Sequence, residues 1–184
     1  MKTCYIALLP ISILLSACSS TPMQLTSDCT STSPGENYSQ GLKNYALSGT
    51  ASQSSTGFWN WNATPDLAID GNTNGDYMGH SVSHTNSEQN AWWQVDLASD
   101  KNIDKIVLWN RTDAGLAMRI SNFRVIVTDN NNSITFQRNY CGGGRFFSPA
   151  MIINFDKSIN GRYVKVMLNG RNYLHLAEVE VFGK

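Results

Sequence analysis

Short segments in which apolar and polar residues alternate recur between residues 44 and 184. Alternation with period two places every second side chain on the same face of a β-strand, which is typical of a half-buried sheet. The segments with this pattern are 103–110, 123–127, 134–136, 164–168 and 174–181. Turn-forming runs of Asn, Asp and Gly separate them, at 129–132, 141–144, 160–161 and 169–170. No segment has a convincing helical period. The pattern predicts an all-β domain, a β-sandwich with Greek-key or jelly-roll connections.

The charge balance excludes some classes of partner. Lys plus Arg and Asp plus Glu are equal at 14 each, so no global field attracts nucleic acid or an anionic membrane. Charged residues make up only 15% of the chain, and Asn, Ser, Thr and Gly supply much of its polarity. This composition is typical of a loop-rich β-protein of the cell exterior. The length of 184 residues suits one domain with appendages, and we expect no nucleic-acid partner.

Residues 1–17 have the pattern of a secretory signal peptide. A short basic start is followed by an apolar run at 5–15, which is too short to span a bilayer. The run ends in Leu-Ser-Ala-Cys at 15–18, which resembles a bacterial lipobox. The resemblance implies cleavage before Cys18 and its lipidation, hence an outer membrane lipoprotein anchored in the bacterial cell envelope. The alternative is an ordinary cleaved signal, which would give a secreted or periplasmic protein.

Residues 18–43 are rich in Ser, Thr, Pro, Gly and Gln and contain almost no large aliphatic side chains. Such a segment cannot bury a core, so we expect a flexible linker that holds the domain at 44–184 off the membrane. Removal of the signal and lipidation of Cys18 leave only Cys29 and Cys141. An oxidising compartment and an even remainder favour a disulfide between these two, with two free thiols as the alternative.

The stretch at 70–76 is polar and turn-rich, and it continues to a His-containing segment at 81–85. Its Gly, Asn and Asp residues exclude it from the interior of a helix or strand. It is dense in the oxygen atoms that a hard cation prefers, and apolar segments lie on both sides of it. A long loop between two buried segments more often forms a binding site than an irregular connection without function. We therefore expect it to hold calcium.

Several motifs, taken in their order, are similar to those of one known family. The segment at 44–55 resembles the opening strand of discoidin-like domains. The motifs that resemble the fucolectin (F-type lectin) branch are Ala-Ile-Asp-Gly-Asn at 68–72, the segment 81–85, Trp-Trp-Gln-Val-Asp-Leu at 92–97, Asn-Arg-Thr-Asp at 110–113, Ser-Asn-Phe at 121–123 and Leu-Ala-Glu-Val-Glu-Val at 176–181. The resemblance implies a jelly-roll, galactose-binding-domain-like fold with one structural Ca²⁺ and a shallow pocket for L-fucose.

The resemblance also implies a set of calcium ligands. They are carbonyls at Leu67, Asn72, Ser81 and Ala177, the Ser81 hydroxyl, and the carboxylates of Asp70 and Glu178. Two carboxylates with several neutral oxygens and no Cys or His form a set that calcium prefers. The alternatives are that Asp70 only caps a turn and that Glu178 is an exposed strand residue.

For the sugar, the resemblance implies one His and two basic residues, here His84, Arg111 and Arg119, with Asp113 orienting an arginine. Guanidinium groups donate in a fixed plane to sugar oxygens, and a neutral imidazole can donate or accept. The spacing from His84 to Arg111 is longer than in the family pattern, Met118 stands at the strict position of the last basic residue, and 114–118 replaces an adjacent cysteine pair. We expect an apolar wall from aromatic residues, among them Trp59, Trp61 and Tyr77.

The leading interpretation is a non-catalytic, calcium-stabilised lectin for L-fucose or fucosylated glycans. An enzyme is disfavoured because the only convergent carboxylates are assigned to metal, and no nucleophile elbow or phosphate loop occurs. The alternatives are a discoidin-like adhesion module that binds another sugar, of galactose type, or a cell surface, and a structural lipoprotein whose pocket has decayed. The oligomeric state stays open, although lectins often raise weak affinity by multivalency.

Overall fold

The structure is a computed structural model, and it describes residues 29–57 and 61–184. The predicted signal peptide, Cys18 and Trp59 lie outside the described residues. Within the described ranges, none of the helices is long and apolar enough to cross a membrane.

Eleven strands and four 3₁₀ helices form the described part of the chain. The strands are β1 (Lys43–Asn44), β2 (Thr50–Gln53), β3 (Ser83–His84), β4 (Glu88–Gln89), β5 (Trp92–Trp109), β6 (Phe123–Thr128), β7 (Ile134–Tyr140), β8 (Ala150–Leu168), β9 (Arg171–Asn172), β10 (His175–Leu176) and β11 (Glu178–Gly183). The 3₁₀ helices are Ala46–Ser48, Pro65–Ala68, Tyr77–Gly79 and Asp113–Arg119.

Two long antiparallel strands, β5 and β8, organise the fold. The sheet order is β1-β11-β5-β8-β6-β7, and β2 pairs with the first half of β5. The register between β5 and β8 shifts at two irregularities, so each strand bends and its halves join different layers. One layer contains the second half of β5 with β11, and the other contains the first half with β2, β6 and the end of β8. The result is the predicted all-β sandwich.

The core lies between the two layers, and the alternating segments fill it as predicted. Phe123, Val125 and Val127 of β6 are fully buried, as are Val164 and Val166 of β8. Of the two neighbouring tryptophans, Trp93 points into the core and Trp92 lies on the outer face. The alternation in the sequence therefore identified the buried face of the central strands correctly.

The final segment differs from the half-buried strand that its alternation suggests. It consists of two strands, β10 and β11, and every residue of β11 is buried on both faces. The outer face of β11 is covered by Tyr38 and Leu42, which pack with Phe182. The Tyr38 hydroxyl lies 2.7 and 2.8 Å from the two carboxylate oxygens of Glu180. Alternation predicts an exposed polar face, but that face is buried when another segment of the chain covers it.

The prediction of a flexible linker over 18–43 is wrong for residues 29–43. Their backbone is fixed by β1, by paired hydrogen bonds between Thr32 and Ala150, and by a disulfide between Cys29 and Cys141. Few aliphatic residues are needed, because Tyr38, Leu42, backbone hydrogen bonds and one disulfide supply the attachment.

The turn expected at Asn160-Gly161 is also wrong, because β8 continues through it. Gly161 is required there by close packing, since a Cβ atom would collide with the Val127 side chain. The glycine marks a close approach of two strands and not a chain reversal.

Candidate functional site

His84 lies on the short strand β3, which pairs with β10. Its side chain is buried, and Nδ1 lies 2.7 Å from the carbonyl oxygen of Thr85. A carbonyl only accepts hydrogen bonds, so Nδ1 carries the proton and Nε2 of the neutral ring is an acceptor. Burial lowers the pKa of His84 to about 4, and the charges of Arg111 and Arg119 lower it further against the opposing Thr85 hydrogen bond. His84 is therefore neutral near pH 7.

Arg111 lies two residues after the end of β5 and is held in place on two sides. Its Nε and Nη2 atoms donate to the two carboxylate oxygens of Asp113 at 2.6 and 2.7 Å. Its guanidinium lies 4.4 Å from the ring centroid of Tyr77, whose backbone N–H donates to Asp113. The hydrogen bond from Arg111 lowers the pKa of Asp113, which stays ionised. Asp113 thus orients Arg111, as the sequence predicted, and Nη1 of Arg111 stays free for a ligand within the described structure.

Arg119 ends the 3₁₀ helix Asp113–Arg119 and approaches His84 from the other side. Its Nη1 atom lies 3.5 Å from Nε2 of His84, and its guanidinium lies 4.5 Å from the ring centroid of Tyr173. Met118, at the strict family position, is 58% exposed and stands outside this arrangement. The basic group at this end of the site is therefore Arg119.

The side chains of Arg111, His84 and Arg119 lie close together, with the rings of Tyr77 and Tyr173 between them. The His84 ring centroid lies 5.6 Å from that of Tyr77 and 5.3 Å from that of Tyr173. The order in space is thus Arg111, Tyr77, His84, Tyr173, Arg119. Trp61, an expected wall residue, packs on Tyr77 at 5.0 Å.

Sequence reasoning missed Tyr173 and His175. His175 stands opposite His84 across β3 and β10, with ring centroids 5.7 Å apart. It is fully buried, and neither ring nitrogen has a hydrogen-bond partner in the part of the chain that the structure describes. The Tyr77 hydroxyl is likewise buried and unpartnered there. The alternation at 174–181 predicted a strand, but nothing in it indicated that this strand pairs beside His84.

The predicted metal loop is a series of side-chain-capped turns. Asp70 accepts a hydrogen bond from the N–H of Asn72, and Asn72, Asn74 and Asp76 repeat the pattern. The alternative interpretation of Asp70 as a turn-capping residue therefore describes part of its role. The Ser81 hydroxyl donates to the Asn74 carbonyl and ties the end of the loop to its middle.

Glu178 is a buried residue of β11, so the alternative of an exposed strand position is wrong. One carboxylate oxygen accepts from the N–H of Gly71 at 3.2 Å, while the other has no partner among residues 29–57 and 61–184. Burial raises the pKa of Glu178 to about 8, with the nearby charges of Asp70 and Glu180 adding to the effect. A buried carboxylate with one free oxygen beside a second carboxylate suits a cation.

Two predicted ligands remain, Ala177 and Leu67. Ala177 precedes Glu178 and is buried, and Leu67 lies in the 3₁₀ helix before the loop. No group of three or more His, Cys, Asp or Glu side chains that could hold a metal occurs in the described ranges. A cation here would therefore depend on the carbonyl and hydroxyl oxygens as well as on the two carboxylates.

Similarity to known proteins identifies the class. Residues 67–166 match a family described as "NedA-like, galactose-binding domain". Fucolectin-6 of Anguilla japonica is 34% identical over 143 residues, which are 76% of this chain and 75% of the relative. The lectin domain of lectinolysin, solved in complex with Lewis B antigen, is 39% identical with a TM-score of 0.69, over 77% of this chain and 97% of that one. A Streptococcus pneumoniae fucose binding module, SpX-3, is 38% identical with a TM-score of 0.70, over 77% and 98%.

The fold and these relatives define a galactose-binding-like β-sandwich that acts as a binding domain and not as an enzyme. Within that class, the chain belongs to the fucolectin (F-type lectin) family.

Proposed function

We propose that this protein is a lectin that binds L-fucose or fucosylated glycans at the site formed by His84, Arg111 and Arg119. The observation that supports this most directly is the convergence of these three side chains, held by Tyr77 and Tyr173. The relatives that the chain matches include fucolectins and a fucose binding module.

The chemistry of the site suits a neutral sugar. Arg111 and Arg119 offer donors in fixed planes, while Nε2 of the neutral His84 is an acceptor that a sugar hydroxyl would share with Nη1 of Arg119, 3.5 Å away. The unpartnered groups around His84, on Tyr77 and His175, are polar atoms that a bound hydroxyl or an ordered water would satisfy. The aromatic rings favour the apolar face of a pyranose and the methyl group of a deoxy-sugar.

Calcium binding is a second part of the proposal. Asp70 and Glu178 would supply carboxylate oxygens, and Leu67, Asn72, Ser81 and Ala177 would supply neutral oxygens. The free, buried oxygen of Glu178 supports this, because a buried polar atom without a partner is costly and a cation would favour the ionised carboxylate. The cation would hold the loop at 70–81 against β11 and so stabilise one wall of the site.

Membrane anchoring is a third part, supported only by the Leu-Ser-Ala-Cys motif at 15–18. We propose that lipidated Cys18 anchors the domain in the bacterial outer membrane. Metabolic labelling with a tagged fatty acid would mark the wild-type protein and leave C18A unlabelled. Label on C18A, or none on either protein, would contradict the anchor.

A galactose-type sugar is the second candidate, because the matching family is described as galactose-binding. L-Fucose carries a methyl group where galactose carries a hydroxymethyl group, and it has the opposite handedness to D-galactose, so the two sugars present different groups to the site. A glycan array distinguishes them. Enrichment of fucosylated glycans supports the proposal, enrichment of terminal galactose supports the second candidate, and an empty array from folded protein contradicts both.

A further inference from the structure

The loop that carries Arg119 needs support from outside itself. It contains two residues in the left-handed region, Ala114 at φ 54° and Gly115 at φ 66°, and no side-chain cap begins it. Its first part is fixed by the Arg111–Asp113 pair and by Tyr77, as described above. Its last part, which ends at Arg119, is fixed to the sandwich by another residue, Asn110.

Asn110 is buried, with 1% of its surface exposed, and its side-chain amide donates two hydrogen bonds. One bond goes to the carbonyl of Ala117 at 3.0 Å, two residues before Arg119. The other goes to the carbonyl of Phe147 at 2.8 Å. Both acceptors are backbone carbonyls, so the contact requires a group with two N–H donors. An aspartate of the same shape would place one charged oxygen against both carbonyls, where the amide nitrogen now donates.

The Phe147 end of this connection is a fixed point. Phe147 is fully buried, and its ring lies 5.8 Å from that of Phe123 in the core. Its loop begins at Cys141, which is bonded to Cys29, and the next residue, Ser148, donates from its N–H to the Ser31 hydroxyl. The N-terminal segment and the core therefore both hold the carbonyl that Asn110 contacts.

We propose that Asn110 is a positioning residue of the sugar site: it holds the Ala117 carbonyl, and thereby places Arg119 against His84. The inference rests on the proposed function. Arg111 is the next residue along the chain, but Asp113 and Tyr77 hold its guanidinium independently. Loss of the Asn110 amide therefore acts through Arg119.

A double-mutant cycle tests this with four full-length proteins: wild type, N110D, R119A and N110D/R119A. NMR titration with α-methyl-L-fucoside measures even weak affinities. We expect N110D to weaken binding about tenfold in the wild-type background and less than about twofold in the R119A background. A loss of general stability would instead weaken binding equally in both backgrounds. The control is N122D, because Asn122 is an exposed asparagine whose side chain also donates to a backbone carbonyl, that of Asn169.

A readout without sugar separates this inference from the proposed function. The Nε–H resonance of Arg119 should shift in N110D and stay unchanged in N122D. If wild type does not bind the fucoside, the proposed function fails while this resonance still tests the placement of Arg119. Unchanged affinity and an unchanged Arg119 resonance in N110D would overturn the inference. An equal fold-loss of affinity in the wild-type and R119A backgrounds would overturn it as well. If N110D does not fold, N110A, which leaves a small cavity and no buried charge, replaces it in the same cycle.

Discussion

Arg119 and His84 face each other so that only one direction of hydrogen bonding is available. Nη1 of Arg119 lies 3.5 Å from Nε2 of His84, and the other ring nitrogen of His84 is committed to the Thr85 carbonyl. Arginine only donates, so Nε2 must stay unprotonated. A proton on it would place two donors, both charged, against each other.

The first prediction concerns acid pH. The pKa of His84 is about 4 in the folded protein and about 6.5 in the unfolded chain, so the unfolded state binds more protons between these values. His84 therefore costs the protein stability as the pH falls from 6.5 to 4, on the order of 2 kcal/mol in the free energy of unfolding. Urea denaturation at several pH values should show a shallower acid loss in H84Q. Equal slopes for wild type and H84Q would contradict the pKa assignment.

The second prediction concerns the ion pair of Arg111 with Asp113. D113N removes the charge that orients Arg111, and we expect fucose affinity to fall about 10- to 100-fold with little change in melting temperature. The chain provides a matched control in Arg162 and Asp96. They form the same two-bond pair, with hydrogen bonds of 2.7 and 2.8 Å, but outside the site. D96N should therefore leave affinity unchanged. A similar loss in both variants would show a nonspecific effect.

The third prediction concerns calcium. E178Q removes a buried charge from the proposed ligand set, so calcium should no longer raise the melting temperature, because a ligand bound only by the folded state stabilises that state. Wild type should melt several degrees lower in EDTA. D76N is the control, since Asp76 lies in the same loop and caps Met78 but is not a proposed ligand. If EDTA leaves the wild-type melting curve in place, the metal site is wrong.

The fourth prediction concerns the disulfide. Cys29 and Cys141 are 112 residues apart, and a crosslink across a long loop reduces the entropy of the unfolded chain. We expect the C29S/C141S variant to lose about 2 to 5 kcal/mol in the free energy of unfolding. Denaturation of the oxidised wild type against this variant measures the difference. Coincident denaturation curves would show that the disulfide contributes nothing to stability.

The parts of the molecule that the sequence predicted are those that depend on local pattern. Alternation identified the inward faces of β6 and β8, because successive side chains of a strand point to opposite faces, so a strand with one buried face must have an apolar residue at every second position. The order of His84, Arg111 and Arg119 in recognisable motifs also identified side chains that the fold brings together.

The missed parts depend on distant pairing. Tyr173 and His175 join the site only because β10 pairs with β3, and no local pattern specifies that pairing. The attachment of residues 29–43 includes the hydrogen bonds from Tyr38 to Glu180. A single long-range contact of this kind does not alter the linker-like composition of the segment. The pairing of distant strands and single long-range contacts could therefore not be predicted from the sequence.

The most direct test of the central claim is calorimetric titration of L-fucose into the purified protein with calcium present, alongside R111A. The proposed function predicts saturable binding to the wild type. For R111A it predicts binding lost and a melting temperature nearly unchanged, because Arg111 contributes donors to the sugar more than contacts to the core. Absence of heat from folded, calcium-loaded wild type, or equal affinity in R111A, would contradict the assignment of this site to fucose.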